Sequence, residues 1–254
     1  MSVDVHYRID GPDDAPAVVL SGSLGSTLEM WEPQAAALSG DFRVIRYDIR
    51  GHGSSPVPDG PYSMADLGSD VSRLLDRLGI ARAHFAGLSI GGMTGMWLAA
   101  HAPDRVDRLA LLCTSAQLGP PENWAQRAAA VRAEGVGAVA AGVLERWFTP
   151  AFAEREPDTV ERLTAMVAGT PAEGYAGCCA AIEHMDLRAD LPGITASTLV
   201  VAGADDPSTP PDHAQRIAAG IPGARMRVVP GAAHLASWEQ AGMINPLLRE
   251  HFAG

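Results

Sequence analysis

Apolar positions along the chain follow two alternating rhythms. Short, nearly continuous runs of Val, Leu, Ile and Ala at residues 17–21, 43–48, 82–88, 108–113, 197–203 and 225–229 predict buried strands. Between them, apolar residues recur at helical spacing. Residues 64–78 do so and stop at Gly79, and a second such pattern runs from Ser89 to Ala100. Further helices are expected between 203 and 225 and after 229. Strands without a polar face need cover on both sides, and their alternation with helices predicts a mostly parallel sheet flanked by helices.

The rhythm changes between Gly119 and Pro192. Helical patterns at 122–134, 136–147, 158–168 and 173–183 follow one another with no strand among them. Pro120, Pro121, Pro150, Pro157 and Pro171 punctuate them. The reading is an α/β fold in which residues 1–118 and 193–254 form the core and 119–192 form an inserted all-helical cap. Asn245-Pro246 is expected to disturb the last helix, because proline lacks the donor that a helix interior uses.

Composition narrows the function. With 254 residues the chain can bury one large core or two modest ones. No apolar run approaches the roughly 18 residues that span a bilayer, so no membrane association is expected. Residues 1–14 carry acidic side chains and no apolar stretch, which predicts no secretory leader and a cytoplasmic protein. The net charge of −11, with no local basic patch, argues against nucleic acid as a partner. Cys113, Cys178 and Cys179 are odd in number and two are adjacent, so no disulfide is assigned. There is no phosphate-binding loop, dinucleotide fingerprint or metal-ligand spacing, and neither a metal nor a cofactor is expected. Oligomeric state is not legible.

Gly87-Leu88-Ser89-Ile90-Gly91 fits G-x-S-x-G where a strand turns into a helix. A turn that sharp strains the serine backbone and demands small neighbours, which Gly87, Gly91 and Gly92 supply. It lifts the hydroxyl above the sheet edge, before a helix N-terminus that favours negative charge. A serine nucleophile needs a base. Of eight histidines, His234 lies on the loop after the last strand, beyond its carboxyl end. His84 sits inside a strand, as a core residue. His6, His101, His213 and His251 are expected at the surface. His52 is in a Gly-rich loop that could border the site. The base needs an orienting carboxylate, and Gly203-Ala204-Asp205-Asp206-Pro207 ends a strand. Asp206 is favoured, three residues past the glycine, with Asp205 kept open as its alternative. The Ile90 and Ser23 amides are the candidate oxyanion donors, Ser23 lying in the Gly-rich loop after the first expected strand. Asp48-Ile49-Arg50-Gly51-His52-Gly53-Ser54 is read as structural, its Asp and Arg tying neighbouring loops.

These motifs, with the order Ser89, Asp206, His234, resemble the α/β-hydrolase fold family. A narrower resemblance rests on Ser23-Leu24-Gly25-Ser26-Thr27 with Met30-Trp31, on Glu145-Arg146-Trp147-Phe148-Thr149-Pro150, and on Gly174-Tyr175 with Cys178-Cys179-Ala180-Ala181-Ile182. In these the chain is similar to 3-oxoadipate enol-lactonases, over nearly its whole length. It departs from them at Gly22, Trp238 and Asn245-Pro246. The resemblance implies a serine hydrolase opening 3-oxoadipate enol-lactone to 3-oxoadipate in protocatechuate breakdown. It implies an acyl-enzyme on Ser89; with the sequence ending at Gly254, the carboxymuconolactone decarboxylase domain fused to some relatives is not expected. Such a substrate carries a free carboxylate, and burying it unpaired is costly. Arg132, Arg146 and His184 are the candidates to meet it, with Trp147 as an apolar or N–H contact. Other small-molecule esterases or lactonases share the same triad and remain the alternative, and a ligand receptor on this fold is a more distant one. A haloalkane dehalogenase is disfavoured, since it would carry Asp at the position of Ser89.

Overall fold

The computed structural model describes residues 2–254; Met1, where the expected core begins, lies outside them. Seven strands form one sheet: β1 (Tyr7–Asp10), β2 (Ala17–Ser21), β3 (Arg43–Tyr47), β4 (Ala83–Leu88), β5 (Val106–Leu112), β6 (Ser197–Gly203) and β7 (Arg225–Val229). Their order is β1-β3-β2-β4-β5-β6-β7, and every pair is parallel except β1 with β3. The six expected strands are all present. The sequence reading missed β1, a short edge strand whose alternation (Tyr7 and Ile9 against Arg8 and Asp10) spans only four residues.

The helices are α1 (Glu32–Leu38), α2 (Met64–Arg77), α3 (Ile90–His101), α4 (Pro121–Glu134), α5 (Gly137–Trp147), α6 (Pro150–Arg155), α7 (Pro157–Ala168), α8 (Ala172–Glu183), α9 (Pro211–Gly220), α10 (Ala236–Glu239) and α11 (Ala241–Ala253). The central strands carry no exposed face. Val18, Val19, Leu20, Ala110, Leu111 and Leu112 are fully buried, as a sheet covered on both sides requires. α2 opens with a reciprocal cap: the Ser63 hydroxyl accepts from the Asp66 N–H, and the Asp66 carboxylate accepts from the Ser63 N–H.

α4 to α8 are consecutive between β5 and β6, with no strand among them. α6 was not expected; it occupies six residues between Pro150 and Pro157, too few to display a periodicity. α11 runs unbroken through Pro246, contrary to expectation. Proline deprives the Gly242 carbonyl of its helical partner, and Gly242 is exposed, so water can replace that bond.

The parallel arrangement decides where function can lie. The loops after β2, β4, β6 and β7 all leave from the carboxyl edge. β2 lies between β3 and β4, so the chain's connections diverge there and leave a crevice above the strand ends.

Candidate active site

β4 is buried along its whole length and delivers Ser89 at the carboxyl edge. Ser89 has φ 57° and ψ −120°, a conformation that costs a non-glycine residue about 1–3 kcal/mol. Three bonds hold it there. The Ser89 N–H donates to the Leu112 carbonyl at 3.0 Å, and its own carbonyl accepts from the Thr114 hydroxyl at 2.7 Å and the Met93 N–H at 3.0 Å. The neighbouring glycines are sterically required. A Cβ on Gly87 would lie 2.2 Å from the Gly91 carbonyl oxygen, and one on Gly91 2.1 Å from the Ser21 carbonyl oxygen.

β6 and β7 deliver the other two groups. Asp206 is buried and accepts four donors: the Ser208 and Thr209 N–H groups at 2.8 and 3.0 Å, the Thr209 hydroxyl at 2.7 Å, and His234 Nδ1 at 2.8 Å. Burial alone would push this carboxyl up. The adjacent His234 charge, its hydrogen bond and the Thr209 donors more than offset that and hold it at about 2. Asp205, the alternative, is exposed, with its N–H on the Ala232 carbonyl. With Nδ1 of His234 turned to Asp206, Nε2 is the ring nitrogen left for chemistry. Ser89 and His234 line the same cavity, of about 250 Å³.

The oxyanion candidates differ in availability. Ile90 is the first residue of α3, so its N–H has no partner within the helix. The Ser23 N–H points at the Met30 thioether, 3.1 Å away, a weak acceptor that a developing oxyanion could displace. His52 braces this loop. It is fully buried, its Nε2 accepts from the Gly25 N–H at 2.9 Å, and its Nδ1 donates to the Arg50 carbonyl at 3.1 Å. The Gly25 bond requires the neutral ring, since a protonated Nε2 cannot accept, and burial lowers its pKa to about 4. The Asp48–Ser54 loop ties its neighbours as expected. Asp48 accepts from the Leu28 and Ser54 N–H groups, and Arg50 bonds Asp70 at 2.6 and 2.7 Å.

The roof of the cavity comes from α4, α5 and α8, and here the expectations divide. Arg146 and Trp147 line the cavity. Arg132 does not: it pairs with Glu173 at 2.7 Å on the outside. His184 does not either. It caps α8 at the surface, its ring on the Ala180 carbonyl at 2.9 Å. Arg127, which the sequence reading missed, takes the place expected of Arg132. Its guanidinium lies 5.7 Å from the Trp124 ring centroid and 5.6 Å from that of Tyr175. Among the described residues no ion pair engages Arg127 or Arg146. Burial and then the Arg127 charge lower the Arg146 pKa, so the two cations share one field. Helical phase could have found Arg127. Asn123, Trp124 and Arg127 share a face at i, i+1 and i+4, whereas Arg132, five positions on, is turned away by about 140°.

Two other histidines depart from expectation. His251 is buried, not superficial, with Nε2 donating to the Leu109 carbonyl at 3.0 Å. His213 is half-buried on the Ser115 hydroxyl at 2.7 Å. His213 lies on α9, which buries only Ala214 and Ile217, whereas His251 falls on the stripe of Ile244, Leu248 and Phe252 that helical phase would have shown. The three cysteines are free and buried. Among the described residues no cluster of His, Cys, Asp and Glu could hold a metal ion, and no helix is long and apolar enough to cross a membrane.

The family described as alpha/beta hydrolase fold matches residues 16–241. The chain is 42% identical to 3-oxoadipate enol-lactonase 2 of Acinetobacter baylyi, over 96% of this chain and 91% of that protein. It superimposes on the crystal structure of the enol-lactonase from Burkholderia xenovorans with a TM-score of 0.96 and 46% identity, covering 98% and 96% of the two chains. It is also 33% identical to RutD of Variovorax paradoxus, named as a candidate carbamate hydrolase, over 98% of this chain and 96% of that one.

Proposed function

The chain belongs to the α/β-hydrolase fold family and is a carboxylic ester hydrolase; from that premise we propose that it opens 3-oxoadipate enol-lactone through an acyl-enzyme on Ser89. The observation that carries this reading is the cavity itself. An elbow serine and an Asp206-backed histidine lie on its floor, and two cations that no ion pair engages among the described residues lie in its roof. A cavity of about 250 Å³ falls just below the roughly 300–1,000 Å³ of ordinary ligand sites, which suits a compact substrate. The enol-lactone offers both features the cavity addresses, a reactive ester carbonyl and a free carboxylate.

His234 Nε2 takes the Ser89 proton as Oγ attacks the ring carbonyl. The carbonyl oxygen becomes an oxyanion against the Ile90 N–H, with the Ser23 N–H turning from Met30 to join it. Collapse breaks the ring C–O bond, and His234 returns the proton to the departing enol oxygen. The enol tautomerises to the ketone while still tethered through the acyl group. Water, deprotonated by His234, then attacks the acyl carbon, and Ser89 leaves with the proton. Asp206 holds the imidazole tautomer and stabilises the cation in both halves. The helical insertion acts as a cap, with Arg127 and Arg146 facing the carboxylate across Trp147.

The test follows ultraviolet absorbance as the protein acts on freshly generated enol-lactone, beside Ser89→Ala. Rapid loss of absorbance that vanishes in the variant is the expected result. No turnover of the lactone, with an aryl ester still cleaved through Ser89, would discard the substrate and keep the hydrolase. The likeness to RutD favours a small carbamate as the second substrate to try.

A further inference from the structure

Floor and roof are joined by a hydrogen-bonded seam that the chemistry above does not use. The His234 N–H donates to the Arg146 carbonyl at 3.2 Å, and the Leu235 N–H to the Trp147 carbonyl at 2.8 Å. One side chain closes this seam. Glu239, in α10, is buried, and its carboxylate accepts from the Ala233 N–H at 2.8 Å on one side. On the other side it accepts from the Thr149 N–H at 3.1 Å and from the Thr149 hydroxyl. Residues 146–149 and 233–239 are thereby stitched at both ends. The side chains hung from the same short segments are the carboxylate-facing Arg146, the wall Trp147 and the base His234.

A buried carboxylate met by uncharged donors alone is a costly way to hold two loops. It has a property that an amide or hydroxyl lacks, since both of its oxygens accept. One side chain can therefore fix the residue before the base and the residue after the roof to a common point. Glutamine would turn an NH₂ toward one of these N–H groups and release either Ala233 or Thr149. We propose that Glu239 is a positioning residue that sets the distance between His234 and the anion-binding roof, and so makes the enzyme selective for esters whose acyl chain ends in a carboxylate. The proposal rests on the reading of Ser89 and His234 as nucleophile and base. It does not depend on which lactone is the substrate.

The geometry has a direct kinetic consequence. A neutral acyl chain needs only the floor. An anionic one must be gripped at Arg127 and Arg146 while its carbonyl sits over Ser89, so it alone depends on the floor-to-roof distance. The experiment compares kcat/KM for mono-4-nitrophenyl adipate and 4-nitrophenyl hexanoate, which share leaving group and acyl length, in the parent and in Glu239→Gln. The parent is expected to prefer the adipate ester. That preference is expected to fall about tenfold in the variant, the equivalent of losing one charge-assisted hydrogen bond. A role in folding alone lowers the amount of active protein and moves both substrates equally, leaving the ratio unchanged. Thr149→Val, which removes one donor and keeps the N–H, is expected to lower the ratio by a smaller factor and guards against a Glu239 variant that fails to fold. A ratio within twofold of the parent in both variants overturns the proposal, as does a parent without preference for the adipate ester. Turnover surviving in Ser89→Ala overturns the reading of the site and this proposal with it. Failure on the enol-lactone alone overturns only the choice of substrate.

Discussion

The floor and the roof of the cavity treat their charged groups differently. On the floor, Asp206 has four donors and His234 has Asp206, so these groups are paired within the protein before any ligand arrives. In the roof, Arg127 rests against the Trp124 and Tyr175 rings and Arg146 in lower-dielectric surroundings, with no ion pair among the described residues. Paired groups are preorganised and act on bond making; unpaired cations wait for an anion and act on binding. On the proposed reading, reactivity rests on strand ends and recognition on the helices between β5 and β6. Variants on the two sides should divide between kcat and KM.

The largest expected effect lies on the floor. Asp206→Asn removes the charge and the preference for the reactive tautomer of His234, and kcat should fall about ten-thousand-fold with little change in KM. Asp205→Asn, at an exposed carboxylate one position away, should leave kcat within about twofold, as surface substitutions usually do. Steady-state kinetics on one ester settle both. Equal losses in the two variants would break the assignment of the acid.

A smaller effect is expected in the roof, and in the other parameter. Arg127→Ala and Arg146→Ala should each raise KM for a carboxylate-bearing ester by about 10- to 100-fold, the loss of a hydrogen bond to a charged group. They should barely alter KM for a neutral ester. Arg132→Ala, which releases only an external ion pair with Glu173, should leave both KM values unchanged. If Arg132→Ala raised KM as much as Arg127→Ala, the roof would have been drawn from the wrong face of α4.

The same contrast governs what could be read from the sequence. Ser89, Asp206 and His234 follow strands, and a parallel sheet sends every such loop to one edge, so motif and order along the chain brought them together, with only Asp205 left open beside Asp206. Arg127 and Arg132 sit on a helix and His184 at the end of one. There a shift of a few residues rotates a side chain through a large angle, and only packing decides which face is inward. α4 buries just Ala128 and Val131, so its apolar stripe is too thin to mark that face. His251 was misjudged although its face is marked, for it lies at i+7 on the stripe of Ile244, Leu248 and Phe252, a phase the sequence reading did not follow. β1 escaped because four residues at an edge carry little periodicity. The seam through Glu239 joins segments ninety positions apart, and no local pattern encodes such a pairing.

The smallest effect near neutral pH separates two supports of the floor by titration. His52 and Asp206 both support the floor, but they fail in different ranges. His52 has a folded-state pKa lowered to about 4 from a usual value near 6.5. Between those values the unfolded chain binds the extra proton, so this contribution to stability is complete above about pH 6.5 and is lost as pH falls towards 4. His251 is lowered to about 4 as well and adds loss in the same window from outside the site. Asp206, held at about 2 against a usual 3.8, contributes fully above pH 4 and loses its contribution only as pH falls towards 2. Denaturant unfolding at pH 7, 5 and 4 should therefore show the parent weakening over that range. His52→Gln should be weaker at pH 7 but lose less on the way down, since only His251 and the partly buried His84 and His213, whose pKa values burial also lowers, then add loss there. Asp206→Asn should match the slope of the parent from pH 7 to 5, because its carboxylate stays ionised throughout. A parent whose stability is flat from pH 7 to 4 would mean that none of these buried histidines resists protonation. The neutral ring of His52 could then not be what holds the Gly25 N–H, and with it the loop that carries Ser23.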